Sequence, residues 1–172
     1  MKINFVKGLL LAATLGVGLS SCSVATKTVE AEVATQTLLF EDIYEGGNEK
    51  SITLNVAEML GDVDITKIEG ATIQSILVSK KDSLGLSEIN EAKVQLLGES
   101  EDLTMVTVGV SGEIKEGSQE IELSILDEVE IAKYLKEENV TLVLDLTYIK
   151  DQEVPQNYEV GIKFDLEMNE QK

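Results

Sequence analysis

The sequence predicts an all-β protein, a two-sheet antiparallel β-sandwich of about eight strands with one short helix, over residues 37–172. Three observations carry this. From Thr37 onward, apolar and polar residues alternate with period two in segment after segment, the pattern of strands with one buried and one wet face. Turn-forming residues punctuate the segments at Gly46-Gly47-Asn48, at Gly117-Ser118 and at the one proline, Pro155. A chain of 172 residues that is 43% hydrophobic is long and apolar enough to pack one domain.

The N-terminus comes before the sandwich. Lys2 and Lys7 form a positive start, and Gly8 to Gly18 (GLLLAATLGVG) is an apolar run without a charge. Spanning a bilayer takes about 20 apolar residues, so this run is too short to cross stably; residues 1–21 have the layout of an export signal. An ordinary secretory signal with an incidental Cys, or a buried N-terminal helix, are the alternatives. The run ends in Leu19-Ser20-Ser21-Cys22, which resembles the lipobox of bacterial lipoproteins. In that family the cysteine thiol is acylated, the peptide is cut just before it, and the new amino group is acylated too. The resemblance implies lipid attachment, of palmitate type, at Cys22, the only cysteine. One acyl chain binds a membrane marginally, whereas two or more hold a protein stably, at roughly 0.8 kcal/mol per buried CH2. Cleavage there would leave 172 − 21 = 151 residues with a charge of 12 − 32 = -20, because the removed segment holds two Lys and no acid.

Two further features bear on location by resemblance. Proteobacterial lipoproteins kept in the inner membrane carry Asp after the cysteine, and Ser23 implies the outer membrane instead. Surface lipoproteins of Bacteroidota-type bacteria carry an acidic run behind the cysteine. Ser23 to Lys27 has no acid, which implies a periplasm-facing domain.

Residues 22–36 are expected to form a lipidated, flexible tether, because Ser23 to Gln36 is small, polar and without a bulky apolar cluster. As a coil it would reach on the order of 20 Å. The alternative is a strand at Thr28 to Val33, which alternates weakly. Strands follow at Leu38–Tyr44, Ser51–Val56, Ala71–Lys80, Ala92–Leu97, Leu103–Val110 and Gln119–Leu126. In Leu103–Val110 the apolar phase changes between Met105 and Val106, as a β-bulge allows. The clearest strands close the chain: Val140-Leu142-Leu144-Leu146-Tyr148, then Tyr158-Val160-Ile162-Phe164-Leu166-Met168, with Glu159, Lys163, Asp165 and Glu167 opposite.

One helix is expected at Glu128 to Glu137. Asp127 and Glu130 have capping-box spacing, Ile131, Tyr134 and Leu135 form an i, i+3, i+4 stripe, and Lys133 and Lys136 suit the C-terminal end. Val63-Asp64-Ile65-Thr66-Lys67-Ile68 matches Val129-Glu130-Ile131-Ala132-Lys133-Tyr134 at an offset of 66, each between alternating strands, which suggests two related halves. This V-acid-I-x-K turn and its following strand resemble small immunoglobulin-like lipoprotein domains of unknown function from Bacteroidota-type bacteria. The resemblance implies an immunoglobulin-like sandwich and carries no site residue across.

Catalytic chemistry is mostly excluded by composition. With no His and no Arg there is no imidazole base, no Ser-His-Asp or Cys-His machinery and no guanidinium clamp. G-x-S-x-G, S-x-x-K and phosphate-cradling glycine loops are missing; Gly109-Val110-Ser111-Gly112 comes nearest to a nucleophile elbow and reads as a strand end. Lys80-Lys81-Asp82 reads as an exposed loop. Asp62-x-Asp64-x-Thr66 offers alternating oxygens to calcium, with Glu99, Glu101 and Asp102 as further acids, so Asp62 and Asp64 are the metal candidates. Lys67 stands where an EF-hand loop needs Gly, and the competing reading has Asp64 capping a short turn. No cofactor is expected. The net charge of -18 disfavours nucleic acid and anionic surfaces. The expected function is a membrane-anchored, non-enzymatic envelope lipoprotein that binds or scaffolds a protein partner. The alternatives are an extracytoplasmic small-ligand or glycan binder and an enzyme using carboxylates alone.

Overall fold

Alternation becomes nine strands in the computed structural model, which describes residues 26–80, 85–126 and 129–169. In chain order they are β1 (Thr26–Phe40), β2 (Gly46–Asn55), β3 (Ile68–Ser79), β4 (Ile89–Gly98), β5 (Val106–Val110), β6 (Glu120–Glu122), β7 (Ser124–Ile125), β8 (Asn139–Tyr148) and β9 (Gln156–Asn169). One antiparallel sheet runs β1-β9-β3-β6 and the other β2-β8-β4-β5-β7. The fold is the expected all-β sandwich. Its two most regular strands, β8 and β9, are interior strands of their sheets. Val140, Leu142, Leu144, Leu146 and Tyr148 of β8 face Tyr158, Val160, Ile162, Phe164 and Leu166 of β9, all buried in one core.

The tether expected over residues 22–36 is overturned from Thr26 onward. β1 pairs with β9 from Thr26↔Asn169 to Phe40↔Gln156, with a register shift between Val33 and Gln36. An edge strand needs few apolar side chains, because ladder hydrogen bonds hold most of its length. Val33, Leu38 and Phe40 are its buried residues. Without β1, the central strand β9 would be left as a long open edge.

A second difference lies at Gln119–Leu126, expected as one strand. The segment changes sheets at Leu123: β6 pairs with β3, and β7 pairs with β5. Leu123 N–H donates to Ile76 O (2.9 Å) and Leu126 N–H to Val108 O (3.0 Å), so the segment straps one flank of the sandwich. Gly109 makes the crossing possible, since a Cβ there would lie 2.7 Å from Ile76 Cδ1 and 3.2 Å from Leu123 Cβ. The expected strand at Leu103–Val110 shortens to β5. Its register shift falls opposite Val94 and Gln95, where Val108 is the extra residue, rather than at Met105.

The helices are short. α1 (Val56–Leu60) replaces the end of the strand expected at Ser51–Val56; Asn55 Oδ1 caps it by accepting from Glu58 N–H (3.0 Å). Next comes a 3-10 turn at Ile65–Lys67. α2 (Ile131–Tyr134) is one turn where ten residues were expected. Its stripe of Ile131, Tyr134 and Leu135 is buried as expected. Glu130 occupies the cap position without a side-chain bond, and Asp127, the expected cap, lies outside the described residues. The chain must turn into β8 by Asn139, which ends the helix early. The two matching V-acid-I-x-K turns are both helical, but one leads into the interior of the first sheet and the other into the second. Exchanging the two sheets nevertheless maps the order β6-β3-β9-β1 onto β2-β8-β4-β5, so the suggested halves, β1 to β4 and β5 to β9, repeat in topology as a pseudo-two-fold pair.

All these elements close one filled core. Where Val33, Leu96, Leu142, Ile162 and Phe164 meet, the interior leaves about 10 Å³, at most the space of a single water molecule. At one end of the sandwich stand α1, the 3-10 turn, α2 and the start of β1. The β1–β2 and β8–β9 loops form the other end.

Candidate functional site

Cys22 and the expected export signal of residues 1–21 lie outside the described residues. The metal candidates lie within them. Asp64 caps the 3-10 turn: its Oδ1 accepts from Thr66 Oγ1 (2.7 Å) and Thr66 N–H (3.2 Å), while Lys67 Nζ stands 3.9 Å from Oδ2. The Thr66 hydroxyl, helped by the Thr66 N–H and Lys67, holds this carboxyl below the usual aspartate range. Both oxygens of Asp64 thus have protein partners. Asp62 lies nearby on an open concavity of about 450 Å³ that it shares with Lys27, Asp64 and Lys67. Two lysines beside two aspartates neutralise the field a cation needs. Among the described residues, no three His, Cys, Asp or Glu side chains are grouped to hold a metal. The other acids considered, Glu99 to Asp102, sit in the β4–β5 loop, where Glu99 Oε1 accepts from Asn139 Nδ2 (3.1 Å). The loop is further laced to the α2–β8 connection by Ser100 Oγ, which donates to Glu137 Oε1 (3.0 Å).

The nucleophile-elbow segment is a strand end, as its sequence suggests. Ser111 Oγ accepts from Ala92 N–H (2.9 Å) and Ser111 N–H donates to Ala92 O (2.8 Å), so the hydroxyl fastens β4.

Aromatic rings, which would serve as sugar platforms on a surface, are nearly all internal. Phe40 meets Tyr158 edge-on at 5.4 Å between ring centres and Tyr148 at 6.5 Å. Phe164 is in the core, and Tyr134 is buried with its hydroxyl donating to Thr104 O (2.7 Å). Among the described aromatics, Tyr44 is the exposed one.

Sequence reasoning missed a polar cluster near the loop end. Lys80, expected in an exposed loop, is 3% exposed and places its Nζ 5.8 Å from the centre of the Tyr158 ring. Tyr148 hydroxyl donates to Tyr158 hydroxyl (2.8 Å), and Lys150 Nζ pairs with Glu88 Oε1 at 2.8 Å. Nothing local marks Lys80, since a lysine closing an alternating strand reads as its wet end. Burial pushes the Tyr148 phenol far above its ordinary value, with the Tyr158 hydrogen bond and then the Glu88 charge adding to it. Tyr148 is therefore a fixed donor and cannot act as a base. Because folding raises this pKa, the stabilisation is complete below about pH 10 and is lost as pH rises beyond it, at roughly 1.4 kcal/mol per pH unit. Tyr148→Phe should flatten the alkaline limb of denaturation midpoints measured between about pH 8 and 11; an unchanged slope would refute this account.

The outer face of the β1-β9-β3-β6 sheet is shallowly concave on either side of Lys163. One hollow of about 430 Å³ is lined by Glu30, Glu32, Gln74 and Asp165, the other, of about 390 Å³, by Thr35, Ser75, Ser79 and Gly161. Two pairs of polar groups there hold each other: Lys163 with Glu32 at 3.6 Å, and Gln74 Nε2 donating to Asp165 Oδ2 at 2.7 Å.

No protein-family model and no curated protein matches the chain. Among solved structures it is similar to one of carbohydrate-binding modules from the β-sandwich superfamily, at 10% identity and a TM-score of 0.37, over 77% of this chain and 54% of that one. It is similar to a structure of infectious bursal disease virus, Gx strain, at 12% identity and a TM-score of 0.37, over 85% and 32%. Desmodium yellow mottle tymovirus gives 11% identity and a TM-score of 0.31, over 98% of both chains. The chain spans about half the length of the first of these and about a third of the second. The likeness is one of β-sandwich architecture and identifies no site.

Proposed function

We propose that this protein is a non-enzymatic, lipid-anchored envelope lipoprotein whose sandwich binds or scaffolds another envelope component. Its place is the outer membrane, with the domain facing the periplasm. The observation that carries the reading is Leu19-Ser20-Ser21-Cys22 behind two lysines and an uncharged apolar run, with the chain's only cysteine at the lipobox position. No helix among the described residues is long and apolar enough to cross a membrane. In this reading attachment rests on the acyl chains.

The binding role is supported by how the sandwich is filled. Its described aromatic rings other than Tyr44 are spent on the core, its hollows are shallow and partly paired internally, and its interior has no room for a ligand. Among the described residues no Asp or Glu is fully buried, the setting that raises a carboxyl into a general acid. A glycan or small-ligand binder would need the aromatic platform or deep pocket that these residues are not arranged to form. The test is growth of the source cells with a clickable fatty acid. Label on this protein in the membrane pellet is the expected result. Wild-type protein that pellets without label would overturn the anchor.

A further inference from the structure

Eight large apolar side chains stand exposed among the described residues, and the three most exposed share one end of the molecule. Tyr44 (65%) lies in the β1–β2 loop, and Ile149 (54%) and Val154 (64%) lie in the β8–β9 loop. The other five, 37–47% exposed, are spread over separate elements. Apolar side chains scattered singly on a surface need no explanation, but a group on adjoining loops marks an interaction site.

These two loops are built to hold still. Ile43 and Gln152 form a β-bridge between them, with Gln152 N–H donating to Ile43 O (3.1 Å), and Glu45 N–H donates to Asp151 Oδ1 (2.7 Å). Asn48 clamps the backbone of Tyr44 from both sides: its Oδ1 accepts from Tyr44 N–H (3.1 Å) and its Nδ2 donates to Tyr44 O (2.7 Å). Ile149 N–H is fixed on Glu88 O (3.0 Å). The backbone is thus ordered by side-chain caps while the apolar groups are left in water. A rigid display of this kind lowers the entropy lost on binding.

The charge around the display says what fits it. Residues 41–45 and 149–155 number twelve and include five acids, Glu41, Asp42, Glu45, Asp151 and Glu153. The chain as a whole has 32 acids in 172 residues, so the loops carry about twice their share. Their one cation, Lys150, is paired with Glu88. We propose that this loop end docks a protein partner whose surface offers an apolar depression rimmed by lysine or arginine. A second copy meeting it tip to tip would bring like charges together, and an anionic bilayer would repel it. The proposal names the surface and partner chemistry of the scaffolding role, and its orientation rests on that reading. β1 starts four residues after Cys22 in the chain and runs fourteen residue steps, roughly 45 Å, to the loop end, so in that reading the display stands at the end opposite the start of β1.

The test places a benzoylphenylalanine photocrosslinker at position 44 or 154 of the full chain in its source cells, with position 58 on α1 as the control. The expected result is one protein adduct from 44 and 154 and none from 58. The crosslinked partner peptide should carry apolar residues flanked by Lys or Arg. Adduct yield from 154 should fall at least about fivefold in Glu41→Gln/Asp42→Asn/Glu153→Gln, and likewise in Ile149→Ser, as loss of charge and apolar contact requires. A lipid adduct, an adduct with a second copy, the same adduct from 58, yield indifferent to the neutralised acids, or no adduct would each overturn the proposal. Fatty-acid label on the same cells reads the anchor separately: labelled protein without a tip adduct refutes the docking surface alone, and a tip adduct on unlabelled protein refutes the anchor alone.

Discussion

Phe164→Ala is expected to lower the free energy of unfolding by roughly 3–5 kcal/mol, the range for emptying a buried aromatic site. Phe164 is 2% exposed at the middle of β9, on the inner face between Ile162 and Leu166. It lines the place where the two sheets meet, with about 10 Å³ to spare. The surrounding residues come from β1, β2, α1, β4 and β8 as well as β9, so the ring is held from many directions and its loss cannot be filled by one shift. Phe164→Leu keeps most of the volume and should cost under about 1.5 kcal/mol. Urea titration at neutral pH reads both. With a slope of about 1–3 kcal/mol per molar, the Ala midpoint should fall by roughly 2 M. A loss below about 1 kcal/mol for Phe164→Ala would contradict the packing described.

Cys22→Ser should move the protein from the membrane pellet to the soluble fraction, or leave the uncleaved precursor. The membrane-bound share should fall at least about tenfold, because every acyl chain of the proposed anchor depends on this residue. Electrostatics cannot compensate: a domain near -20 gains nothing from an anionic surface. The fold should persist, since among the described residues the first ladder pair is Thr26↔Asn169, four residues after Cys22. Unchanged unfolding midpoints for the released domain would check that. A Cys22→Ser protein that is processed normally and still pellets would defeat the lipoprotein reading.

What was legible in the chain is the part of the fold that each segment decides alone. β8 and β9 were expected at Val140–Tyr148 and Tyr158–Met168 and occur at Asn139–Tyr148 and Gln156–Asn169. A strand with one face against the core must alternate, and a slip of one residue would turn every apolar side chain to water. The stripe of Ile131, Tyr134 and Leu135 was legible for the same reason at helical spacing. The α1 cap was present too, in Asn55 three residues before Glu58, but the alternation of Ile52, Leu54 and Val56 outweighed it.

The chain by itself determined the fold class, the faces of the long strands and the absence of imidazole chemistry, all of which depend on residue types and short-range period; the proposed anchor is likewise read from residue types alone. Only the tertiary structure decided that residues 26–36 form a strand, because their pairing energy comes from the backbone of β9 and leaves little trace in side chains. It alone split Glu120–Ile125 between two sheets, since a ladder partner is invisible to local alternation. It alone buried Lys80 beside Tyr158 and gathered Tyr44, Ile149 and Val154, separated by about a hundred residues of chain, onto one end. Side-chain period says which way a residue faces relative to its own strand; what stands opposite is set by how the strands are ordered, and that ordering is long-range.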